Sequence, residues 1–367
     1  MALVRQRFKQ VFWLAAVSLA AAAIFPGCSP LYVLRAAYEE GKILWRREPI
    51  ADVLDNPDVQ ADTQEKLKLV LAVRRYARDV LKFNVGGSYA SYSYVDKPDL
   101  TYVVMAAPKT ELKPYTWWFL VIGSVPYKGY FSRDEAEAEA ARLKAEGYDT
   151  MIRTSAAFST LGWFDDPLLS HLLRYDKVVL AGVIFHELFH NTLYINGAGA
   201  FNESAANFVG NHAAIDFFRD RFGAESAEYA RAVQIWDDER EFGRFINGVA
   251  DTLRGLYQSD IPRADKLRLR EQVFTRSQAD WQRYIAAHPE QNFRHFGRRS
   301  LNNAVVMNYL VYLTNLDLFE SFYAANGHDL KRTVEALQSA VAKGGEPFQA
   351  VRHWLDKHQQ HPAVVAN

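Results

Sequence analysis

The chain has 367 residues, and its 43 basic and 43 acidic side chains balance to a formal net charge of zero. Neither a nucleic-acid partner nor a membrane surface held by charge fits this balance, because both require a basic excess or a basic block. The length is sufficient for one large domain or two closely joined ones, and the single cysteine excludes an internal disulfide.

The N-terminal segment has the pattern of a secretion signal. Basic residues at positions 5, 7 and 9 precede an almost wholly apolar stretch at 11–24, which ends shortly before Cys28. A small residue followed by a lone cysteine resembles a bacterial lipobox. We therefore predict a lipoprotein signal peptide over residues 1–27, with cleavage before Cys28 and lipid on that residue. The alternative is an uncleaved signal anchor with an incidental cysteine, although the apolar stretch is short for a membrane span.

Both alternatives predict the same side of the inner membrane for the rest of the chain. The basic flank stays in the cytoplasm, so residues 28–367 would lie outside the inner membrane. Ser29 after the cysteine, instead of aspartate, favours the outer membrane over the inner membrane in a Gram-negative cell. The predicted location is the bacterial cell envelope, with a lipid anchor in the membrane and the protein facing the periplasm.

Residues 28–175 are predicted to form a mixed αβ lobe. The main helices and strands expected there cover residues 31–47, 63–81, 102–106, 115–122 and 148–154. A charged helix is expected at 132–146, where Ser132 and Glu135 have the spacing of a capping box. Residues 158–163 are predicted as an exposed edge strand that could hold an extended peptide by strand addition, with an internal strand or a loop as the alternative.

The pentapeptide His186-Glu187-Leu188-Phe189-His190 ends an apolar segment of helix length. Side chains four residues apart lie on one face of a helix, so both histidines can reach the same ion. They suit one tetrahedral Zn²⁺ ion with a carboxylate as third ligand and water as fourth, and Glu187 could take a proton from that water. The alternative is a chance HExxH in a structural helix, but such polar side chains on an apolar helix are costly unless they are paired or bound to metal.

Glu203 is the predicted third metal ligand. The metzincin pattern is excluded, because Leu193 and Asn196 stand where a glycine and a histidine would be required. A mostly small or apolar helix at 201–218 carries Glu203 in its first turn, where zinc would compensate a buried charge. A solvated glutamate favoured by the helix dipole is the alternative. His212 on the same helix is interpreted as a packed or hydrogen-bonded histidine and not as a ligand.

At these residues the chain resembles the gluzincins, in which HExxH is followed by an Asn-Glu pair on a second helix. More closely, it is similar to a bacterial family of predicted zinc aminopeptidases, many of them lipoproteins. The similarity includes residues 125–131, 158–169 and 301–304, and it implies a zincin-like fold and a zinc peptidase acting on peptides. The gap between His190 and Glu203 is shorter than in the large gluzincin aminopeptidases, and no GAMEN-type loop is present. The resemblance therefore supports peptidase chemistry more strongly than removal of N-terminal residues.

Further residues are assigned around the predicted metal site. Tyr312 matches a tyrosine of the similar family and is predicted as the catalytic donor to the oxyanion. Tyr309, one turn earlier, is the alternative, and either tyrosine could be a core residue. Asn202 and Asn207 flank Glu203 and are predicted to orient the metal ligands through hydrogen bonds, with helix capping and packing as the alternative.

Residues 176–367 are predicted as a helical lobe, which completes an α+β fold with the active-site helices between the two lobes. The other helices of this lobe are expected at residues 224–257, 263–287, 301–325, 329–342 and 347–357. The substrate cleft is expected between the two lobes.

The predicted function is hydrolysis of peptide bonds by a zinc peptidase of the cell envelope, an aminopeptidase by resemblance. One alternative is a lipid-anchored binding or scaffold protein with a structural zinc site, and another is a zinc amidase that acts on cell-wall fragments. Glu187 separates the peptidase from the scaffold, because a structural site needs no general base and closes with four protein ligands. None of the 43 acidic residues stands out in the sequence as the partner of a substrate ammonium group.

Overall fold

A computed structural model describes residues 38, 41–96, 101–119, 123–155, 165–298 and 300–360. The predicted signal peptide, Cys28 and the predicted edge strand at 158–163 lie outside these residues. Within the described part of the chain, no helix is long and apolar enough to cross a membrane.

The first part of the described chain consists of small sheets and helices. Its elements are β1 (Glu48–Pro49), α1 (Ile50–Asp55), α2 (Ala61–Asp79), β2 (Ser91–Ser93), β3 (Thr101–Pro108), β4 (Trp117–Phe119), β5 (Gly123–Val125), β6 (Lys128–Tyr130), α3 (Arg133–Ala145), β7 (Tyr148–Ser155), β8 (Leu168–Leu169) and a 3₁₀ helix at Ser170–Arg174. Strand β3 is antiparallel to both β6 and β7, and its pairing with β7 runs from Thr101↔Ser155 to Pro108↔Tyr148. The strands predicted at 102–106 and 148–154 are confirmed. Of the strand predicted at 115–122, the described residues form only β4, which pairs with β5.

Helix α3 covers this sheet because its apolar residues recur at helical spacing. The buried residues of this layer include Ala136, Ala140, Leu143, Val104 and Ala106. Ser132 occupies the N-cap position of α3, but its side chain makes no capping hydrogen bond, so the predicted capping box is wrong. The acidic side chains of Asp134 and Glu135 in the first turn stabilise this end of the helix through its dipole instead.

From residue 177 onward the described chain is almost entirely helical, as predicted. The helices are α4 (Lys177–His190), α5 (Gly199–Phe222), α6 (Ala227–Gln258), α7 (Arg263–Ala287), α8 (Asn303–Leu313), α9 (Leu316–Ala325), α10 (Leu330–Val341) and α11 (Pro347–Gln360). The single helix predicted at 301–325 is wrong, because the chain turns between α8 and α9. Asn315 has a left-handed backbone with φ 57°. The Thr314 N–H donates to Ser204 Oγ at 3.2 Å, so a tertiary hydrogen bond replaces a helical one.

Helix α4 lies at the centre of the main hydrophobic core. Ile184, Phe185 and Leu188 of this helix are fully buried, and α2 and α5 pack against it. The structure is a mixed α+β fold, as predicted. The proposed division into lobes at residue 175 stays a prediction.

Polar side chains connect α8 to the sheet. Asn302 Nδ2 donates to the Thr150 carbonyl oxygen at 3.0 Å, and Asn303 Nδ2 donates to the Pro108 carbonyl oxygen at 2.8 Å. Asn302 also caps α8, because its side-chain oxygen accepts from the Val305 N–H at 3.0 Å. These bonds explain the polar residues between two apolar segments, and they hold the start of α8 against β3 and β7.

Candidate active site

The N-terminus of α4 is capped by Asp176, whose Oδ1 accepts from the N–H groups of Val178 and Val179, both at 2.9 Å. The helix then runs through the core and ends at His190. His186 lies one turn before His190, and both side chains are partly buried. Because the opposite face of α4 is packed in the core, the rotation of the helix, and with it the direction of both imidazoles, is fixed by packing.

Helices α4 and α5 approach each other closely at Gly210. A Cβ at this position would lie 2.9 Å from the Gly182 carbonyl oxygen and 3.0 Å from the His186 amide nitrogen. Any larger residue would therefore push the two helices apart. The close approach brings Glu203, about two turns earlier on α5, beside the histidines of α4.

The ligand atoms of His186, His190 and Glu203 form a compact triangle. The two Nε2 atoms are 3.2 Å apart, and Glu203 Oε2 lies 3.3 Å from His186 Nε2 and 3.7 Å from His190 Nε2. Ligand atoms on one tetrahedral zinc ion are about 3.3 Å apart, given metal–ligand distances of about 2.0–2.1 Å. No other group of three His, Cys, Asp or Glu side chains within the described ranges has such spacing. The donor set and its dimensions fit one zinc ion.

The electrostatics of the triangle also suit a metal. Burial acts to raise the pKa of Glu203, but the hydrogen bond with His186 and the nearby His190 hold that pKa well below its usual range. Burial acts to lower the pKa of His190, but its interactions with Glu203 and the charge of Glu187 together raise that pKa. Glu203 is therefore a carboxylate at neutral pH, which is the form that binds zinc.

Two residues near the triangle have structural contacts. The Asn202 side chain accepts from the Ile195 N–H at 2.9 Å and donates to the Ile195 carbonyl at 2.8 Å. It does not cap α5, which begins at Gly199; it ties the loop after α4 to the start of α5. His212 forms a 2.8 Å hydrogen bond with Glu320, as its interpretation as a hydrogen-bonded histidine predicts.

A cavity of ≈510 Å³ lies beside the triangle, and His186 and Glu187 both line it. Its walls come mainly from β7 and from α4, α5, α6 and α8, with Leu172 of the 3₁₀ helix and Phe293 of the loop after α7. The cleft predicted between two lobes stays a prediction. The Glu187 side chain is partly buried. It has no hydrogen bond or ion pair to any other residue that the structure describes, so its carboxylate is available to a water or a substrate in the cavity.

Tyr312 and Tyr309 have different surroundings. The Tyr312 ring lies 6.3 Å from the His186 ring, and its hydroxyl oxygen accepts from Arg153 Nη2 at 3.2 Å. Burial raises the pKa of Tyr312 to about 12, so the hydroxyl keeps its proton at neutral pH. Tyr309 packs into an aromatic cluster, with its ring 4.9 Å from that of Phe242. Of the two tyrosines, Tyr312 faces the candidate site.

Arg153, Asn211 and Glu239 also line the cavity, although no sequence pattern had singled them out. Glu239 Oε2 accepts from Asn207 Nδ2 at 2.6 Å and from Asn211 Nδ2 at 3.1 Å. Asn207 also donates to the Tyr312 carbonyl oxygen at 3.4 Å. Asn207 is thus hydrogen-bonded to the cavity carboxylate, to Asn211 and to α8, and none of these partners is a candidate metal ligand.

Two sequence signals could have identified Asn211 and Glu239. Glu203, Asn207 and Asn211 are spaced four residues apart, which places three polar side chains on one face of a mostly apolar helix. Glu239 lies in a run of charged residues, but its position falls between the buried Trp236 and Phe242 at helical spacing. Because Glu239 is three residues from each of these buried side chains, the helical spacing predicts that it points toward the interior.

The sequence matches the protein family described as "Putative aminopeptidase" over residues 31–346. This match spans most of the chain, and the chain therefore belongs to that family, in agreement with the resemblance noted in its sequence. Comparisons with curated proteins and with solved structures gave no match.

Proposed function

We propose that this member of the aminopeptidase family is a zinc-dependent peptidase of zincin-like type, which hydrolyses peptide bonds at the N-terminus of its substrates. The observation that carries the proposal is the triangle of His186, His190 and Glu203, with the Glu187 carboxylate in the adjoining cavity. Two histidines on α4 and a glutamate on α5 support the zincin-like assignment. Family membership supports the aminopeptidase type of cleavage.

In the proposed reaction, a zinc ion held by His186, His190 and Glu203 would lower the pKa of the attacking water and polarise the scissile carbonyl. Glu187 accepts a proton from that water as general base and later delivers it to the leaving amine. Its place directly after His186 puts the carboxylate beside the reacting centre. Because the carboxylate has no hydrogen bond or ion pair to another described residue, it can accept and release this proton without breaking a structural bond.

Tyr312 stabilises the negative charge that develops on the carbonyl oxygen. Its hydroxyl oxygen already accepts a hydrogen bond from Arg153, so its own proton is free to be donated to the substrate. The positive charge of Arg153 behind the tyrosine strengthens this donor. Such donors act most strongly in a site that is shielded from bulk water.

Replacing Tyr312 with phenylalanine should lower kcat about 100-fold with little change in KM, because one oxyanion donor is lost. Steady-state kinetics on a short peptide measure both constants. Tyr309→Phe is the matched control and should retain the wild-type kcat, since that ring packs against Phe242. An equal loss in both variants would assign Tyr312 a packing role only.

Metal analysis and peptide hydrolysis by the purified protein test the proposed function. We expect one zinc ion per chain and release of the N-terminal amino acid from short peptides, followed by mass spectrometry. Chelation should stop this release, and added zinc should restore it. The peptidase proposal is wrong if the zinc-loaded protein cleaves no peptide or if cleavage continues after metal removal. Zinc binding without hydrolysis would favour the scaffold alternative, and cleavage of cell-wall amides alone would favour the amidase.

We further propose that the enzyme acts in the cell envelope, attached through lipid on Cys28. The apolar stretch and the small residue before Cys28 are the basis of this proposal, and Ser29 favours the outer membrane. Mass spectrometry of the N-terminal peptide should find a lipid-modified Cys28 as the first residue of the mature protein. A mature chain that retains residues 1–27 would contradict it.

A further inference from the structure

Glu239 is an acidic side chain of the cavity that the proposed reaction does not use. It lies on α6, is partly buried, and shares the cavity with His186 and Glu187. Its Oε2 is held by the amide groups of Asn207 and Asn211, at 2.6 and 3.1 Å. Its Oε1 has no hydrogen bond to any residue that the structure describes. One oxygen of the carboxylate is therefore positioned by the protein, and the other is open to a ligand.

The charge of Glu239 lacks a cationic partner among the described residues. By contrast, the buried Asp149 lies 2.7 Å from Arg270, and the partly buried Glu320 lies 2.8 Å from His212. Burial raises the pKa of Glu239 to about 7, against the lowering effect of its hydrogen bonds to the two asparagines. An isolated carboxylate in this position is costly for the folded protein, and a bound cation would remove that cost.

Arg153 does not serve as that partner, although it lines the same cavity. Its Nη2 donates to the Tyr312 hydroxyl, and the guanidinium lies 5.9 Å from the centre of the Tyr312 ring. Arg153 therefore lies beside Tyr312, the proposed donor to the reacting carbonyl. Glu239 projects from α6 and is held by two asparagines of α5.

Glu239 is held in place by α5, the helix that also carries Glu203. Asn207, which holds Glu239, follows Glu203 by one turn of α5, or about 6 Å along the helix. The amino nitrogen and the carbonyl carbon of one residue are about 2.5 Å apart. We therefore expect room for a single residue, with its carbonyl group at the triangle and its amino group at Glu239.

The rest of the cavity wall is largely apolar. It includes Val178, Val183, Ala232, Ile235 and Phe293. A side chain attached to the residue between Glu239 and the triangle would meet this surface, which favours apolar groups.

We infer that Glu239 binds the α-ammonium group of the substrate's N-terminal residue, and that the apolar wall receives the side chain of that residue. This inference deepens and rests on the proposed function: it names peptides with a free amino terminus and an apolar first residue as the substrate class. It also explains why cleavage would remove one residue at a time.

The test compares Glu239→Gln with wild type on leucyl peptides that have a free or an acetylated N-terminus. Wild type should prefer the free form by about 100-fold in kcat/KM, because a charge-assisted hydrogen bond is lost on acetylation. Glu239→Gln should lower kcat/KM for the free form by about 100-fold, mainly through KM, and leave the acetylated form unchanged. Glu241→Gln is the matched control on the same helix, with an exposed side chain, and should behave as wild type.

The inference is overturned if wild type does not discriminate between the two peptides, or if Glu239→Gln keeps the wild-type discrimination. Calorimetry with leucinamide and N-acetyl-leucinamide on the zinc-loaded proteins needs no turnover. Tighter binding of leucinamide to wild type, lost in Glu239→Gln, supports the inference even if no peptide is cleaved and the proposed function fails. Equal binding of both amides to wild type overturns the inference about Glu239. If the same protein still cleaves peptides, the proposed peptidase function is unaffected by that result.

Discussion

Replacing Glu187 with glutamine is expected to lower kcat for peptide hydrolysis by about 10³- to 10⁴-fold, while the protein retains its zinc. The amide has the shape of the carboxylate but cannot accept a proton from water. Glu187 contributes no atom to the triangle of His186, His190 and Glu203, so the candidate metal ligands should stay in place. Steady-state kinetics and metal analysis on the same preparation measure the two effects.

Glu203→Gln is the matched comparison, because it makes the same chemical change on a predicted ligand. It should lose zinc affinity as well as activity, since the carboxylate is the anionic ligand of the site. Wild-type kcat in Glu187→Gln would remove the general base from the proposed mechanism. Loss of zinc from Glu187→Gln would instead make Glu187 part of the metal site.

Replacing Arg270 with methionine should lower the free energy of unfolding by about 3–5 kcal/mol. Arg270 is only 4% exposed and Asp149 only 6%. Arg270 donates to both carboxylate oxygens of Asp149, at 2.7 and 3.1 Å, and to the Lys109 carbonyl at 2.6 Å. Methionine fills a similar volume but leaves a buried carboxylate and a partly buried carbonyl without these donors. Denaturant unfolding should show a lower midpoint at an unchanged slope.

Arg244→Met is the control for this prediction. Arg244 pairs with Asp317, but about half of each side chain is exposed, at 50% and 54%. Loss of such an exposed pair should cost less than about 1 kcal/mol. Equal effects of Arg270→Met and Arg244→Met would show that the buried pair has no special role in stability.

The buried pair also affects the candidate site. Asp149 Oδ2 accepts from the Asn303 N–H at 3.0 Å, and Asn303 is the first residue of α8. Helix α8 carries Tyr312, so the pair on β7 and α7 helps to place the tyrosine beside His186. A less stable Arg270→Met protein is therefore expected to show a lower kcat at temperatures where it is still folded.

Much of the candidate metal site could be predicted from the sequence, because the patterns that indicate it are local. The spacing of His186 and His190 is a property of any helix, and an apolar segment around them indicates burial. Glu203 follows from the same reasoning, as a charge in the first turn of a largely apolar helix. The helix predicted from residue 301 begins at Asn303, and the partners of Asn302 and Asn303 on β7 and β3 were not apparent in the sequence.

The capping box and the long helix at 301–325 were predicted wrongly for a related reason. The spacing of Ser132 and Glu135 is a local pattern, and so is the series of apolar residues before and after Thr314-Asn315. Such patterns indicate only the structure that a segment prefers in isolation. At Thr314 the Ser204 hydroxyl competes for the backbone N–H, and that competitor lies 110 residues away in the sequence. The helix propensity of a segment takes no account of a hydrogen-bond partner so distant in the sequence.

The sequence by itself determined the family, the helix that carries HExxH and the carboxylate that completes the triangle, since helix periodicity and burial are encoded over a few turns. Only the tertiary structure decided which residues face the same cavity. Arg153 comes from β7 and Glu239 from α6, and they share a cavity with His186 because the packing of sheet on helices brings distant segments together. Glu239 stands in a run of charged residues, and its contacts with α5 make it a candidate for substrate recognition.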